Sequence, residues 1–525
     1  MNELILNAAF LSDGYKTGHH SMEPDGLNLL ISNWTPRTAK RAPKGVTKVV
    51  SFGQQMVIKY IVNIWNKNFF LLNEDEACSQ IEMEMSMYLG KHYDVSHFRS
   101  LHKLGFLPIE IRSIKEGSEV PFGVPMLTIN NTHGFGWVTN YLETIISNML
   151  WQPMTSATIA KLYRRILDKW AYKTDPEGQG GVDFQAHDFS MRGMGGIDSA
   201  IGSGLGHATS FLGSDSLPVI WGARNYYNET GFVIGSVNAT EHAVMCAGTS
   251  FYIYDKYQQD WSRIGDAEFD VFKKLITESC PSGIVSIVSD TFNLWTVLTN
   301  FLPRLKNEIM ARDGKVVIRP DSSRISPIEV ISGFANYPDI VYDDKCPYIK
   351  HENGDVESLY GMVEYKGVIE ALWDVFGGVI TSSGYKKLDP HIGMLYGDAI
   401  NPVRMEATCE NLMKKGFAST NVVFGCGSMT YQLQTRDSLG FAMKATYAEV
   451  KGIAMELFKD PITDKGFKKS ARGLVSVFKD ENGEYKLKDQ CTIEEFQNSE
   501  LELIFKDGKF LKETTLSEIR KNLKF

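Results

Sequence analysis

An arginine and an aspartate stand two positions apart at the end of the apolar run in residues 315–323 (KVVIRPDSS). The planar guanidinium of Arg319 suits a phosphate or a carbonyl group, and Asp321 lies on the same side of an extended chain as an acceptor. This pair suits a ligand that is both anionic and metal-bound. The alternative is a local Arg319–Asp321 pair that only closes a loop.

Two further polar residues follow apolar runs. Asp290 ends the run in residues 284–293 (IVSIVSDTFN), either as a functional carboxylate or as the N-cap of the next helix. His242 ends residues 237–242 (VNATEH), where an imidazole can bind phosphate, act as a general base or accept a phosphoryl group. A packed histidine bonded to a neighbouring carbonyl is the alternative for His242.

Two glycine-containing turns follow later runs. Gly397 precedes Asp398, and Gly425 and Gly427 flank Cys426. A glycine after a buried strand lets backbone N–H groups approach a phosphate closely. Each turn is a weak signal alone, and both are candidate phosphate contacts.

These positions share one arrangement, because each closes a short apolar or alternating run in the middle of the chain. The runs are residues 182–189, 209–215, 236–242, 284–290, 315–321, 392–398 and 421–427. Helix-compatible segments at 267–278 and 359–376 separate several of them. Strands that alternate with helices predict parallel pairing, and in a parallel barrel all the strand ends meet at one mouth.

The sequence therefore predicts an α/β fold. We expect an irregular TIM-like α/β barrel with a catalytic mouth over residues 181–435. An N-terminal α+β segment, residues 1–180, and a C-terminal segment, residues 436–525, are expected to pack together as an α+β domain.

Composition narrows the class of protein. The 525 residues carry a net charge of −8, which argues against nucleic acid as a partner. The seven cysteines are odd in number and widely spaced, without a CxxC pair, as in a protein of the reducing cytoplasm. The N-terminus lacks the features of a signal peptide, and no apolar run reaches the ~18 residues of a membrane span.

A series of short motifs runs along nearly the whole chain. They are DGYK (13–16), HDFSMRG (187–193), FLGSD (211–215), ATEH (239–242), SIVSD (286–290), VIRPDS (317–322), YGDAIN (396–401), QTRD (434–437), FKDP (458–461) and LSEIRKN (516–522). Taken in this order, the motifs resemble the nicotinamide phosphoribosyltransferases of the type II phosphoribosyltransferase family. Most of these motifs are weak indicators of a family when taken singly. The resemblance is specific because they occur together in this order.

The resemblance implies a site for the base. Phe189 is expected to stack on one face of the nicotinamide ring, and Tyr15 of a second subunit on the other face. Arg319 is expected to donate to the carboxamide oxygen, and Asp215 to accept from its NH₂ group. A carboxylate at position 215 would repel the carboxylate of nicotinate, which makes a nicotinate phosphoribosyltransferase the weaker alternative.

The resemblance also assigns the remaining polar residues. Those for phosphoribosyl pyrophosphate (PRPP) are Arg192, Asp321, Gly397, Asp398 and Gly427, together with Arg37, Arg436 and Lys444 across a dimer interface. Asp290 and Asp321 are expected to face Mg²⁺-pyrophosphate. His242 corresponds to a histidine phosphorylated by ATP, and Lys468 and Lys469 to a mobile basic loop near the triphosphate or pyrophosphate.

The chain departs from the family pattern in three places. Ser428 and Met429 follow Gly427 where the family often has glycines, and Ser323 replaces another glycine after Asp321. Residues 336–387 are longer than in typical members, and an exposed insertion is expected there.

The implied reaction transfers the phosphoribosyl group of PRPP to nicotinamide and releases nicotinamide mononucleotide and pyrophosphate, in NAD salvage. We expect a cytoplasmic homodimer that uses Mg²⁺ and ATP, with Arg319, Asp321, His242 and Asp290 in the catalytic roles. A barrel that has lost catalysis and only binds ligands is a second alternative. The joint presence of the charged residues named above, with Asp13, argues against it.

Overall fold

The computed structural model describes residues 6–323, 326–333, 340–343, 346–350, 354, 356–358, 362–397, 399–463 and 470–524. Within these residues, most of the strands belong to two large sheets, one parallel and one antiparallel.

The parallel sheet is built from the middle of the chain. Its strands, in spatial order, are Gly213–Ser214, Ala186–Asp188, Val422–Cys426, Ile392–Tyr396, Gly314–Arg319, Gly283–Val288 and Asn238–Ala239. Every neighbouring pair is parallel. Each of the seven predicted runs overlaps one of these strands, so the prediction of parallel pairing is confirmed.

The parallel sheet is curled. Gly213, in one edge strand, forms a parallel bridge with Gly235, which lies three residues before the other edge strand. The Ser214 amide donates to the Gly235 carbonyl at 3.1 Å, and the Gly235 amide donates to the Leu212 carbonyl at 2.8 Å. The two edges of the sheet therefore approach each other around an enclosed interior.

The antiparallel sheet joins the two ends of the chain. Its strands, in spatial order, are Ile453–Glu456, Phe441–Val450, Leu27–Pro36, Leu127–Asn131, Ile109–Ser113, Glu502–Lys506 and Lys509–Phe510. The longest pairing runs between N- and C-terminal strands, with Asn33 opposite Lys444. This sheet agrees with the expected packing of the two terminal segments, whose boundaries stay a prediction.

Smaller antiparallel sheets complete the strands. They are Ile340–Asp343 with Cys346–Lys350 and Val356–Ser358, Gly378–Ile380 with Lys386–Leu388, Lys48–Val50 with Glu119–Pro121, and Ser476–Lys479 with Tyr485–Lys488. The first of these lies within residues 336–387, the segment predicted to be an insertion.

Helices cover both sheets. The α-helices are Gln54–Trp65, Glu74–Leu89, Ser96–Leu104, Gly136–Thr174, Ile197–Ala208, Pro218–Tyr227, His242–Asp255, Ile264–Lys274, Leu294–Thr296, Leu302–Arg304, Lys306–Ala311, Pro327–Ser332, Met362–Phe376, Pro402–Lys414, Ser428–Gln432, Ile493–Gln497 and Leu516–Asn522. Within the described part of the chain, none of them combines the length and apolar character that crossing a bilayer requires.

The 39-residue helix Gly136–Thr174 connects the two halves of the molecule. Leu150 and Met154 belong to the hydrophobic core around the antiparallel sheet, whereas Tyr163 and Leu167 belong to the core around the parallel sheet. One continuous helix thus contributes to the hydrophobic cores of both sheets.

The glycine-rich helix Ile197–Ala208 packs closely against this long helix. A Cβ atom at Gly206 would lie 2.8 Å from the Pro153 carbonyl oxygen and from the Ala157 amide nitrogen. The glycines of this segment, residues 202–206 (GSGLG), therefore allow close helix packing.

Candidate active site

The strand that ends at Arg319 alternates between two environments, as the two-residue period of a strand requires. Val316 and Ile318 are fully buried in the core. Lys315, Val317 and Arg319 line a cavity on the other side of the strand. The same sequence run thus supplies both core and site residues.

The cavity lies inside the curled parallel sheet and has a volume of about 620 Å³. Its lining includes apolar residues from several strands and a small number of polar groups, as is usual for a small-molecule site. The polar and aromatic residues of the lining include His187, Phe189, Asp215, Ser236 and Arg319.

An aromatic ring and a guanidinium face each other in this cavity. Phe189 directly follows the strand Ala186–Asp188, and its amide donates to the Cys426 carbonyl at 2.9 Å. The Arg319 guanidinium carbon lies 5.9 Å from the centre of the Phe189 ring, and the guanidinium donates a short hydrogen bond to the Thr240 carbonyl. Burial lowers the pKa of Arg319, although the carboxylates of Asp321 and Asp215 oppose this shift.

Asp215 provides a carboxylate in the same cavity. Its amide donates to the Asp188 carbonyl at 2.9 Å, which continues the pairing of two strands. His187 Nε2 lies 2.9 Å from its Oδ1 atom, and the Ser236 hydroxyl donates to the same oxygen. Burial raises the pKa of Asp215, but the hydrogen bonds from His187 and Ser236, together with the charges of His187 and Arg319, lower it, and the net pKa is lowered.

A second cluster lies at the carboxyl ends of the neighbouring strands. His242, 46% exposed, begins the helix His242–Asp255. Its Nε2 atom lies 3.2 Å from Asp321 Oδ1 and 4.0 Å from Asp290 Oδ1. One potential ligand atom from each of the three residues falls within 4.8 Å of the others. This excludes the packed, carbonyl-bonded interpretation of His242.

Asp290 joins this cluster to the loop after Arg319. Its Oδ2 atom accepts from the amides of Asp321 at 3.0 Å and Ser322 at 2.9 Å. Its Oδ1 atom is buried without a hydrogen bond. The N-cap of the next helix is Asn293, so the alternative of Asp290 as that cap is wrong. The loop is closed by Asp290, which also argues against a loop closed by an Arg319–Asp321 pair.

Gly397 and Gly427 directly follow the strands Ile392–Tyr396 and Val422–Cys426, and Gly397 lies beside this cluster. The Gly397 amide donates to the Pro320 carbonyl at 3.2 Å, and a Cβ atom at Gly397 would lie 3.0 Å from the Asp321 Cβ atom. A Cβ atom at Gly427 would meet nothing within 4 Å, which leaves its backbone open to a ligand. Arg192 is exposed.

Three predicted residues cannot be placed. Asp398, Lys468 and Lys469 lie outside the described residues.

The remaining predicted residues line a second cavity of about 540 Å³. It includes Tyr15, Arg37, Arg436 and Lys444. In the described structure, Phe189, Asp215 and Arg319 do not contribute to its lining. Within one chain, the predicted site residues therefore lie in two separate cavities.

This second cavity has an excess of positive charge, because five cations, Lys16, Arg37, Arg436, Lys444 and Lys459, line it with two carboxylates, Asp13 and Glu143. Loss of solvation lowers the pKa of Lys444, and the positive charges of Arg37, Lys459 and Arg436 lower it further against the opposing effect of Glu143. Such a cluster suits a phosphate-bearing ligand.

Sequence reasoning missed several residues of these sites. His187 and Ser236 were not assigned to Asp215, and Lys459 was not assigned to the cationic cavity. Lys459 lies in the FKDP motif and His187 in the HDFSMRG motif, so the motifs contained a signal. Their contacts arise from tertiary packing, which no local pattern encodes.

Comparison with known families identifies the kind of protein. The model of the nicotinate phosphoribosyltransferase (NAPRTase) family matches residues 184–495, which include the parallel sheet and most of the residues that line its cavity. The chain belongs to the nicotinate phosphoribosyltransferase family. It is therefore a phosphoribosyltransferase, a class of pentosyltransferase.

Relatives within this family match over the whole chain. The nicotinamide phosphoribosyltransferase of Acinetobacter baylyi is 41% identical over 530 residues, which cover 99% of this chain and 97% of the relative. That of Xanthomonas campestris pv. campestris is 28% identical over 99% of this chain and 98% of the relative.

A solved structure supports the fold of this family member. The human nicotinic acid phosphoribosyltransferase has a TM-score of 0.53 and 13% identity, covering 98% of this chain and 93% of the human chain. At this identity, the likeness concerns the fold alone.

Proposed function

We propose that this phosphoribosyltransferase transfers the phosphoribosyl group of PRPP to nicotinamide, forming nicotinamide mononucleotide and pyrophosphate in NAD salvage. The observation that carries the proposal is the ionised Asp215 carboxylate in one cavity with Phe189 and Arg319. A carboxylate accepts a hydrogen bond from a carboxamide NH₂ group and repels the carboxylate of nicotinate. The names of the relatives described above point to the same base.

The base has a defined place in this proposal. Phe189 stacks on one face of the pyridine ring, Arg319 donates to the carboxamide oxygen, and Asp215 accepts from its NH₂ group. These contacts orient the ring nitrogen toward the ribose carbon. Positioning of this kind supplies much of the rate increase in a displacement reaction.

The chemical step needs no covalent bond to the protein. The lone pair of the pyridine nitrogen forms a bond to C1 of the ribose, and the C1–oxygen bond breaks with its electron pair leaving on pyrophosphate. The transition state has oxocarbenium character. Stabilisation of the departing negative charge is therefore the main electrostatic task of the site.

Asp290 and Asp321 are the proposed ligands of magnesium. Two carboxylates suit a hard cation that prefers oxygen, and Asp290 Oδ1 is buried without a hydrogen bond that would compete. Bound Mg²⁺ would neutralise charge on the pyrophosphate group. Arg192, Asp321, Gly397, Asp398 and Gly427 are the proposed contacts to the ribose phosphate, with an open backbone at Gly427.

ATP is the proposed second substrate, with His242 as the phosphoryl acceptor. The ring is 46% exposed and lies 3.2 Å from Asp321, so a phosphoryl donor can reach it. A carboxylate partner orients an imidazole and increases its nucleophilicity. Lys468 and Lys469 are proposed to contact the triphosphate or pyrophosphate.

We also propose a homodimer with shared active sites. Tyr15, Arg37, Arg436 and Lys444 would complete the site of a second copy, because they line a cavity separate from Phe189 in their own chain. The helix that begins at His242 also exposes apolar side chains, which favours a protein interface. They are Val244 at 46%, Phe251 at 58% and Tyr254 at 59% exposure.

We also propose a barrel-like fold for the parallel sheet and a cytoplasmic location. The bridge between Gly213 and Gly235 supports an irregular TIM-like barrel in which the parallel sheet forms the wall. Six of the seven cysteines, Cys78, Cys246, Cys280, Cys409, Cys426 and Cys491, are free thiols, which supports a reducing compartment such as the cytoplasm.

Substitution of Asp215 tests the proposal. We expect Asp215→Asn and Asp215→Ala to lower kcat/KM for nicotinamide by about tenfold or more, with little change in the KM for PRPP. Asp25→Asn is the control, since Asp25 is exposed and lines neither cavity. Equal losses in nicotinamide and PRPP binding would count against the assigned role.

A further inference from the structure

Two donors converge on a single oxygen of Asp215. His187 Nε2 lies 2.9 Å from Oδ1, and the Ser236 hydroxyl donates a short hydrogen bond to the same atom. An ionised carboxylate only accepts hydrogen bonds, so the proton of this contact belongs to His187 Nε2. Within the described part of the chain, Oδ2 of Asp215 has no hydrogen bond to the protein.

The geometry of the strands fixes the His187 ring. His187 pairs in register with Gly213 of the neighbouring strand, two residues before Asp215. A Cβ atom at position 213 would lie 2.7 Å from His187 Nδ1, so only glycine leaves room for the ring there. On its other side the ring lies 4.7 Å from the centre of the Phe189 ring. The imidazole is therefore held between a strand and the aromatic wall of the site.

We infer that His187 and Ser236 are positioning residues, which hold the Asp215 carboxylate so that Oδ2 accepts from the carboxamide of the base. This inference rests on the proposed function and deepens it, because the choice of an amide over an acid then depends on three residues. The two donors saturate Oδ1 and hold the carboxylate away from Arg319.

The competing contact is an Asp215–Arg319 ion pair. The two side chains are close enough for their charges to interact, and a carboxylate free to rotate is attracted to a guanidinium. Such a pair would consume the acceptor and the donor that the carboxamide needs. Loss of the His187 and Ser236 donors is therefore expected to weaken nicotinamide binding and to reduce the discrimination against nicotinate.

Variants of His187 separate positioning from packing. His187→Leu keeps an apolar side chain against Phe189 but removes the donor, whereas His187→Gln keeps an N–H donor at a similar reach without the ring. Ser236→Ala removes the second donor alone. His391→Leu is the matched control, because His391 forms a comparable pair with Asp389, at 2.7 Å, and does not line the cavity.

The experiment measures kcat and KM for nicotinamide, nicotinate and PRPP in the full-length protein and each variant. We expect His187→Leu to raise the KM for nicotinamide about tenfold and to lower the ratio of kcat/KM for nicotinamide to that for nicotinate by a similar factor. His187→Gln should recover most of this loss, Ser236→Ala should show a smaller loss, and the KM for PRPP should stay unchanged.

Two results would overturn the inference while leaving the proposed function intact. One is an unchanged base ratio in His187→Leu, and the other is equal damage in His187→Leu and His187→Gln. If the wild-type protein itself uses nicotinate in preference to nicotinamide, the proposed function fails and this inference fails with it. The wild-type measurement thus separates the two kinds of failure.

Discussion

His242 is the most exposed member of its cluster. Its ring contacts Thr291 at 3.3 Å on one nitrogen and Asp321 at 3.2 Å on the other, so both nitrogens have partners across the mouth of the strands. The proposed base site instead consists of Asp215 and Phe189, which line the cavity inside the parallel sheet. The proposed histidine chemistry is therefore physically separable from binding of the base.

Removal of the His242 imidazole should separate the stimulation by ATP from the basal phosphoribosyl transfer. In His242→Ala, we expect loss of the stimulation by ATP and of labelling by radioactive ATP, with part of the basal transfer to nicotinamide retained. Pyrophosphate release with and without ATP measures the stimulation and the basal transfer. His92→Ala is the control, because His92 is an exposed histidine (76%) outside both cavities. Unchanged ATP stimulation in His242→Ala would refute the phosphohistidine role.

At the scale of single residues, the sequence predicted which side chains stand at strand ends, but not their partners. Arg319 and Asp321 were identified from the spacing in KVVIRPDSS; the structure places Asp321 in the cluster with His242 and Arg319 in the cavity with Phe189. The bonds from Asp290 to the amides of residues 321 and 322 join two segments about thirty positions apart. Contacts of this kind depend on the register of parallel strands, which a local pattern does not contain.

At the scale of elements, the parallel strands were predictable and the helix between the two sheets was not. Buried parallel strands are short apolar runs, and the strand Ile392–Tyr396 is buried throughout. The helix Gly136–Thr174 contains Pro153 and is buried on several faces. Its apolar residues therefore show no simple helical stripe, the signal on which such a prediction depends.

The helix Ile197–Ala208 packs closely against the helix Gly136–Thr174, and a substitution at Gly206 tests this contact. Gly206→Ala places a methyl group 2.8 Å from backbone atoms of residues 153 and 157, and backbone cannot move aside as a flexible side chain can. We expect a loss of about 1–3 kcal/mol in the free energy of unfolding, measured by chemical denaturation. Gly180→Ala is the control, since its new methyl group would meet nothing within 4 Å. Equal stability of the two variants would contradict the packing described for Gly206.

At the scale of the whole molecule, the two cavities of one chain form complementary halves of the proposed site. One contains the proposed contacts for the base, and the other contains Tyr15 with the cations proposed to bind phosphate. A closed two-fold dimer brings the same pair of surfaces together twice. The dimer is thus the simplest assembly that unites the residues assigned by the resemblance.

Mixed dimers test this arrangement. Tyr15→Ala and Arg319→Ala should each abolish most activity alone, whereas coexpression of the two should restore about a quarter of the wild-type activity. Half of the random dimers are then mixed, and each mixed dimer has one intact site. Coexpression of Arg319→Ala with Asp215→Ala is the control and should restore nothing, because both changes lie in the same cavity. Failure of the first pair to complement would argue against shared sites.

The choice of base by the wild-type protein tests the central claim most directly. Pyrophosphate release is measured with PRPP and Mg²⁺ and with either nicotinamide or nicotinate at equal concentrations. The carboxylate of Asp215 beside Phe189 and Arg319 predicts release with nicotinamide, at a kcat/KM about a hundredfold or more above that for nicotinate. Equal use of the two bases, or a preference for nicotinate, would contradict the claim that this cavity is built for an uncharged pyridine amide.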